Sequence, residues 1–293
     1  MTRILVTGSS GQLGGEICRQ LRARRDEVIG FDLVAGTDTC ALGSVSDRAL
    51  VAPLIASVDA VIHTASLHAP HVPVRSKEDF LATNVTGTLV LLELAAAAGH
   101  RRFVYTSTTS VFGAAMEPQG RAVWVTEDLA PVPRDIYDLS KLSAEALCRL
   151  VAAESGMAVT ILRTSRFYDE GPERMAIHRM HRGGDVRDMA AAHLLALDRA
   201  AGCELFIVSG RSPFHPEDSE ELLRDAPAVI RRTLPQAEAW FAGRGWTLPR
   251  RIDRVYDIGR AERLLGYRPL FDLASLFLGE ESDADDPSRR NRV

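Results

Sequence analysis

Tyr137 and Lys141 stand four residues apart in Tyr137-Asp138-Leu139-Ser140-Lys141. That spacing places two side chains one turn apart on one face of a helix. A phenol with a pKa near 10 is a poor base at neutral pH, and a neighbouring ammonium favours its ionised form. The pair is a candidate for taking a proton from a hydroxyl. Composition singles out the same lysine: of 35 basic residues only two are lysine, Lys77 and Lys141. Arginine keeps its proton and presents a planar fork, whereas lysine is a compact charge on a flexible stem.

A second constellation is Thr7-Gly8-Ser9-Ser10-Gly11-Gln12-Leu13-Gly14. It lies between a strand predicted over Arg3–Thr7 and a helix predicted over Gln12–Arg24. Glycines here allow a tight turn and a close approach of backbone to a pyrophosphate, which the helix N-terminus attracts with free N–H groups. Asp32 closes the next predicted strand, Glu27–Asp32, where a carboxylate accepts from adenosine ribose hydroxyls and repels a 2′-phosphate. No base follows in Leu33-Val34-Ala35, and Ser9-Ser10 are neutral, so NAD is favoured over NADP.

The elements that must carry these residues follow from periodicity. Further strands are predicted over Asp59–His63, Arg102–Thr106, Ala158–Arg163 and Glu204–Val208. Helices are predicted over Ser46–Ala56, Lys77–Ala98, Tyr137–Ser155 and Asp188–Ala200, with two helical stretches flanking Pro227 and Pro235 and a short helix over Gly259–Leu265. Strands alternating with helices imply a parallel sheet covered on both faces. The expected architecture is α/β, a Rossmann-type doubly wound parallel sheet with a small C-terminal substrate-binding cap. The core spans 1–163, the cap 164–278 interleaved with the last core elements, and a disordered tail 279–293. Arg166–Gly184, with Gly171-Pro172 and Gly183-Gly184, reads as irregular.

The 293 residues are 46% hydrophobic and 25% charged with a net charge of −4, which argues against nucleic acid or an anionic membrane as partner. No apolar run is read as long enough to span a bilayer, and no signal-peptide pattern is seen, so a cytoplasmic location is expected. Cys18, Cys40, Cys148 and Cys203 form no metal-type pair and read as structural thiols. His63, His68 and His71 are close in sequence but lack a carboxylate partner, so no metal is expected. His68 is instead a candidate polar contact to substrate.

Together these residues resemble the extended short-chain dehydrogenases/reductases, the NAD-dependent epimerase/dehydratase family. Further matches are Val61-Ile62-His63-Thr64-Ala65-Ser66, Asn84-Val85-Thr86-Gly87-Thr88, Tyr105 through Gly113, and a C-terminal run from Tyr256-Asp257-Ile258 to Leu265-Gly266-Tyr267-Arg268-Pro269. The resemblance implies a triad of Thr108, Tyr137 and Lys141. Tyr137 would take the hydroxyl proton, Thr108 would bond the reacting oxygen, and Lys141 would hold the nicotinamide ribose. Ser107 competes with Thr108 for the hydroxyl role. The resemblance also implies cofactor contacts from Gly8, Ser10, Gly11, Gln12, Leu13, Gly14, Asp32, Thr64, Ala65, Ser66 and Asn84. Ser44 and Val45 would meet the adenine, Ser44 replacing the family's usual aspartate. A homodimer through Lys77–Ala98 and Tyr137–Ser155 is expected by the same likeness.

Departures from the family narrow the reaction. Thr109-Ser110 replace the Asp-Glu pair that sugar-nucleotide 4,6-dehydratases use, so dehydration is not expected. The short segment after Arg163 implies a smaller substrate or an unusual nucleotide pocket. It is similar to uronate dehydrogenases at Ser165 and Arg174-Met175, where the likeness implies that serine and arginine bind substrate. Thr109, Ser165, Arg166 and Arg174 are therefore substrate-binding candidates, although the two arginines equally suit an arginine-rich surface. The expected substrate is a sugar, sugar acid or sugar nucleotide, converted by an epimerase or by a simple dehydrogenase releasing NADH. A non-catalytic dinucleotide sensor would have lost Tyr137, Lys141 or Thr108, and none is lost.

Overall fold

The structure is a computed structural model that describes residues 2–199 and 201–277. The expected tail at 279–293 lies outside the described residues. In chain order the first half comprises β1 (Arg3–Thr7), α1 (Gln12–Ala23), β2 (Glu27–Asp32), β3 (Ala41–Leu42), α2 (Arg48–Ala56), β4 (Ala60–His63), α3 (Lys77–Phe80), α4 (Gly87–Ala97) and β5 (Arg102–Thr108). The second half comprises β6 (Val123–Val125), α5 (Ile136–Ser155), β7 (Ala158–Thr164), α6 (Pro172–His181), α7 (Val186–Arg199), β8 (Cys203–Val208), α8 (Ser219–Thr233), α9 (Ala237–Ala242), β9 (Arg254–Tyr256) and α10 (Leu273–Phe277).

Seven strands form one parallel sheet in the order β3-β2-β1-β4-β5-β7-β8. Alternation sorts its side chains onto two cores. Ile4, Val6, Ile62 and Val104 pack with Ile17 of α1 and Met189 and Ala192 of α7. Leu5, Val61, Phe103 and Tyr105 pack with Leu91 of α4 and Ala144 and Cys148 of α5. Strand order reverses between β1 and β4, so a crevice opens at the carboxyl ends of the strands. Thr7, Asp32, His63, Thr108 and Thr164 all end strands there.

A third core, with Phe214, Leu222, Ile230, Phe241 and Val255, belongs to the cap. There β6 and β9 pair in parallel, Trp124 opposite Val255, although 131 residues separate the two in sequence. Three short strands, β3, β6 and β9, have no signal in the sequence, because two or three residues cannot show a period. The segment read as irregular holds α6, started by Pro172 at the first helical position after Gly171. Helix α8 runs through Pro227 with a break at Asp225, so the proline kinks rather than ends it.

Residues Lys77–Ala97 form 21 continuous helical residues of mean hydropathy 1.5, long and apolar enough to cross a membrane by length and composition. This corrects the expectation that no such run exists. Its Leu91, Leu92 and Ala95 pack in the core beneath the sheet, which accounts for the apolar composition. A π-helical segment, Leu81–Thr86, interrupts it.

Asp188 at the start of α7 is buried and accepts the Leu270 and Phe271 amides, both at 2.9 Å. It pins the chain that leads into α10. Asp188→Ala should lower stability by about 1–3 kcal/mol in urea unfolding, the cost of leaving such donors without their acceptor.

Candidate active site

The glycine loop is held shut on one side and open on the other. Gly8 has φ +74°, and a Cβ there would fall 2.6 Å from Thr64 Oγ1 and 2.7 Å from the Ala65 amide. A Cβ on Gly14 would fall 2.0 Å from the Gly8 carbonyl. Turn, helix and β4 loop therefore touch through backbone alone. Helix α1 starts at Gly11 with no side chain capping it, so the amides of its first turn, including those of Gln12 and Leu13, point toward the crevice mouth.

Asp32 accepts the Ser10 amide at 2.9 Å on one oxygen and the Val34 amide at 3.1 Å on the other. Each oxygen retains a lone pair for a ribose hydroxyl. Ser10 has no free donor to offer: its hydroxyl donates to the Val34 carbonyl at 2.6 Å and its amide goes to Asp32. It shapes the loop. Val45 is buried against Gly87, where a Cβ would meet it at 2.5 Å, while Ser44 pairs with Ser46 at 2.8 Å. The Thr64 hydroxyl donates to the Thr7 carbonyl, and that of Ser66 to the Leu67 carbonyl. These residues fit a dinucleotide: a side-chain-free cradle, an uncapped helix N-terminus and a carboxylate at the strand end.

Beneath the loop runs a buried relay. Thr88 donates to the Asn84 carbonyl at 2.6 Å, so it must accept from His63 Nε2 at 3.0 Å. His63 Nδ1 then accepts from Thr7 at 2.7 Å, and burial lowers the imidazole pKa to about 3. His63 is thus a neutral structural link with both ring nitrogens engaged. Asn84, carried by the π-helical segment, is 1% exposed; its amide holds the Leu67 amide and carbonyl and the Ser140 hydroxyl. It acts on the site as a brace between the β4 loop and α5.

Tyr137 and Lys141 occupy the first turns of α5, capped by Asp135, whose side chain accepts the Asp138 amide. Thr108 at the end of β5 stands beside the Tyr137 phenol, and its own oxygen accepts the Ser110 amide at 3.1 Å. Burial pushes the phenol above its usual range, with Tyr168 nearby adding to the effect. Lys141 is 3% exposed, donates to the Thr106 carbonyl at 2.6 Å and lies 4.4 Å over the Tyr105 ring. Burial lowers its pKa to about 7. The ammonium thus rests on backbone rather than on the phenol, and two of its donors remain.

Alternation along β5 separates Ser107 from Thr108. Ser107 is buried and donates to Glu145 at 2.6 Å, which leaves Thr108 as the hydroxyl beside Tyr137. Glu145 also takes both arms of Arg163, at 2.9 and 2.8 Å, in a fully buried pair. Asp138 receives the Ser110 hydroxyl at 2.6 Å and the Arg134 amide at 3.1 Å. Sequence reasoning passed over Asp138 and Glu145. The signal available was position alone, since Glu145 is one turn beyond Lys141 on the same face.

The substrate candidates separate. His68 stacks on Tyr168, rings 5.6 Å apart, and its Nδ1 lies 3.3 Å from the Tyr168 hydroxyl. That contact crosses the cleft from the β4 loop to the β7 loop, and Tyr168 was not anticipated. Thr109 is buried beside the triad, and the Ser165 hydroxyl is buried without a hydrogen-bond partner. Arg166 and Arg174 both turn to Glu170. Breaking the Glu145–Arg163 pair by Glu145→Gln should cost about 3–5 kcal/mol in urea unfolding, because the Arg163 charge then stays buried without its carboxylate.

The family model for the NAD dependent epimerase/dehydratase family matches residues 4–184. The chain is 26% identical to a 3-beta-hydroxysteroid dehydrogenase of Mycolicibacterium neoaurum over 92% of this chain and 87% of that one. It is 32% identical to a UDP-glucose 4-epimerase of Erwinia amylovora over 50% of this chain. It spans only 47% of that epimerase's length, and 39% of an uncharacterised relative from Sinorhizobium fredii. Among solved structures, a short-chain dehydrogenase/reductase superfamily protein of Agrobacterium tumefaciens with bound NAD superposes with a TM-score of 0.71 at 26% identity, covering 94% of this chain and 95% of that one. Glycine cradle, strand-end aspartate and Thr-Tyr-Lys cluster agree with that match along the same residues: the chain belongs to the NAD-dependent epimerase/dehydratase family.

Proposed function

We propose that the protein is an NAD-dependent oxidoreductase acting on a secondary alcohol of a sugar or sugar nucleotide, with Thr108, Tyr137 and Lys141 at the reacting carbon. The observation that carries this reading is the clustering of Thr108, Tyr137 and a buried Lys141 at the strand ends that border the glycine loop. Gly8, Gly11 and Gly14, with the α1 amides, would hold the pyrophosphate. Asp32 would hold the adenosine ribose, Ser44 and Val45 the adenine, and Lys141 the nicotinamide ribose, with Thr64, Ala65 and Ser66 lining the way between. NAD bound there supplies the hydride acceptor.

Tyr137 takes the proton of the substrate hydroxyl, and Thr108 holds the same oxygen in line. A positive charge nearby lowers the cost of the phenolate; Lys141 keeps its charge best below about pH 7. The likeness to a UDP-glucose 4-epimerase and the family itself support a carbohydrate substrate. A simple dehydrogenase of a free sugar or sugar acid is the second reading. It is favoured by the Tyr168–His68 contact, which narrows the cleft directly above the triad and suits a compact substrate. A homodimer is proposed through the helices that carry exposed Leu81, Leu139 and Leu150.

Tyr137→Phe should lower kcat/KM by about 10²–10⁴ with little change in NAD affinity; unchanged turnover would sink the mechanism. Because burial raises the phenol's pKa, kcat/KM should climb from pH 7 toward pH 9. Incubation with NAD and a panel of free sugars, uronic acids and UDP-sugars separates the readings. Net NADH marks a dehydrogenase, and interconversion without it marks an epimerase.

A further inference from the structure

The seat of Lys141 is built from both faces of the sheet. On the β4 side the pairing of β5 ends with Tyr105 opposite His63, while on the β7 side it runs on to Thr108 opposite Thr164. Past His63 the chain turns away, and the Thr64 amide goes to the Thr7 carbonyl. Thr106 is the first β5 residue beyond that pairing, and its carbonyl accepts Lys141 Nζ at 2.6 Å. The Tyr105 ring lies 4.4 Å from the same ammonium. The strand ladder therefore holds Thr106 on one flank only, through its pairing with Leu162 of β7.

Alternation along β5 supplies a second hold. Tyr105 packs with α5, so the Thr106 side chain faces the other way, with Val104, toward α7. There its hydroxyl meets His193 Nε2 at 2.8 Å. The other ring nitrogen, Nδ1, lies 2.7 Å from the Met189 carbonyl, which can only accept. His193 is 0% exposed, and burial lowers its pKa to about 4, so the ring carries a single proton. That proton is on Nδ1; Nε2 accepts, and the Thr106 hydroxyl donates. Freed from His193, the hydroxyl would turn to a nearby backbone carbonyl and carry its own backbone with it.

We propose that His193 is a positioning residue for Lys141: from the far face of the sheet it fixes Thr106, whose carbonyl seats the ammonium beside Tyr137. The inference rests on the reading that Lys141 serves the reaction, and it adds a residue that lies outside the cleft. The titratable groups that act on Lys141 are Glu145 and Cys148 on α5, His63 at the end of β4 and His68 in the loop beyond. Glu145 is paired with Arg163. Burial keeps Cys148 protonated and both imidazoles neutral near pH 7, and it pushes the Tyr137 phenol upward. The lysine thus titrates alone in that range. Its carbonyl partner favours the charged amine, so a loosened seat lowers the lysine's midpoint further.

The test reads Lys141 directly. Only two lysines are present, so protein labelled with ¹³C at lysine Cε gives two NMR signals, with exposed Lys77 as the reference. His193→Leu and Thr106→Val should each lower the Lys141 midpoint by roughly half a pH unit, and the double variant should lower it no further than either alone. His193→Gln, which can present an amide oxygen to Thr106, and Thr106→Ser, which keeps the hydroxyl, should stay near wild type. In turnover, His193→Leu should lower kcat about tenfold, a cost in keeping with a small misplacement of a reacting group. An unmoved midpoint in the single variants would overturn the inference. So would an upward move, the sign of water reaching the amine through a loosened core. Should His193→Leu fail to fold, Thr106→Val, close in shape to the residue it replaces, decides by the same criterion. A lowered midpoint in a protein that oxidises no alcohol would support the seat and sink the assigned reaction instead.

Discussion

One buried carboxylate sets the geometry on which the reacting groups depend. Glu145, 0% exposed, holds Ser107 of β5 and both arms of Arg163 of β7, and it does so from α5. Three elements are thereby locked in register one residue from Thr108 and one helical turn from Lys141. A buried pair of this kind gives little net stability, since desolvation offsets most of the attraction. What it does supply here is position: Arg163 cannot move without abandoning its charge, and Ser107 cannot turn toward the cleft.

Desolvation then tunes the groups that Glu145 places. Lys141 is taken out of water and given a carbonyl and an aromatic face, which brings its pKa down to about 7. Tyr137, buried in the same wall, moves the other way. The two shifts oppose an ionised pair. The neutral relay Thr7–His63–Thr88 serves the same site from below, tying the glycine loop to the helix that carries Asn84.

The cap works by different physics. Its chain is short, and its contacts with the cleft are a ring pair and an exposed group of ion pairs rather than a packed interface. Exposed ion pairs exchange readily where buried ones do not.

Much of this was legible in the residues. Long periodic elements carry their own signal: β1, α1, β2, β4, β5, α5 and β7 follow from alternation and helical spacing within a residue or two. The glycine loop with Asp32, and Tyr137 with Lys141, are local patterns whose partners lie within one turn or one strand–helix unit. Short strands such as β6 and β9 were not legible, since their pairing is made by the fold and not by any period of their own. Nor was the choice between Ser107 and Thr108, which depends on a carboxylate 38 residues away. Tyr168 meeting His68 across 100 residues, and Glu170 gathering the arginines, were likewise decided by the tertiary structure. The sequence by itself determined the fold class, the cofactor cradle and the Tyr–Lys pair, because those rest on contacts close in the chain. Only the folded chain decided which hydroxyl faces the phenol, what holds it there and what occupies the cap, because those contacts join segments that only packing brings together.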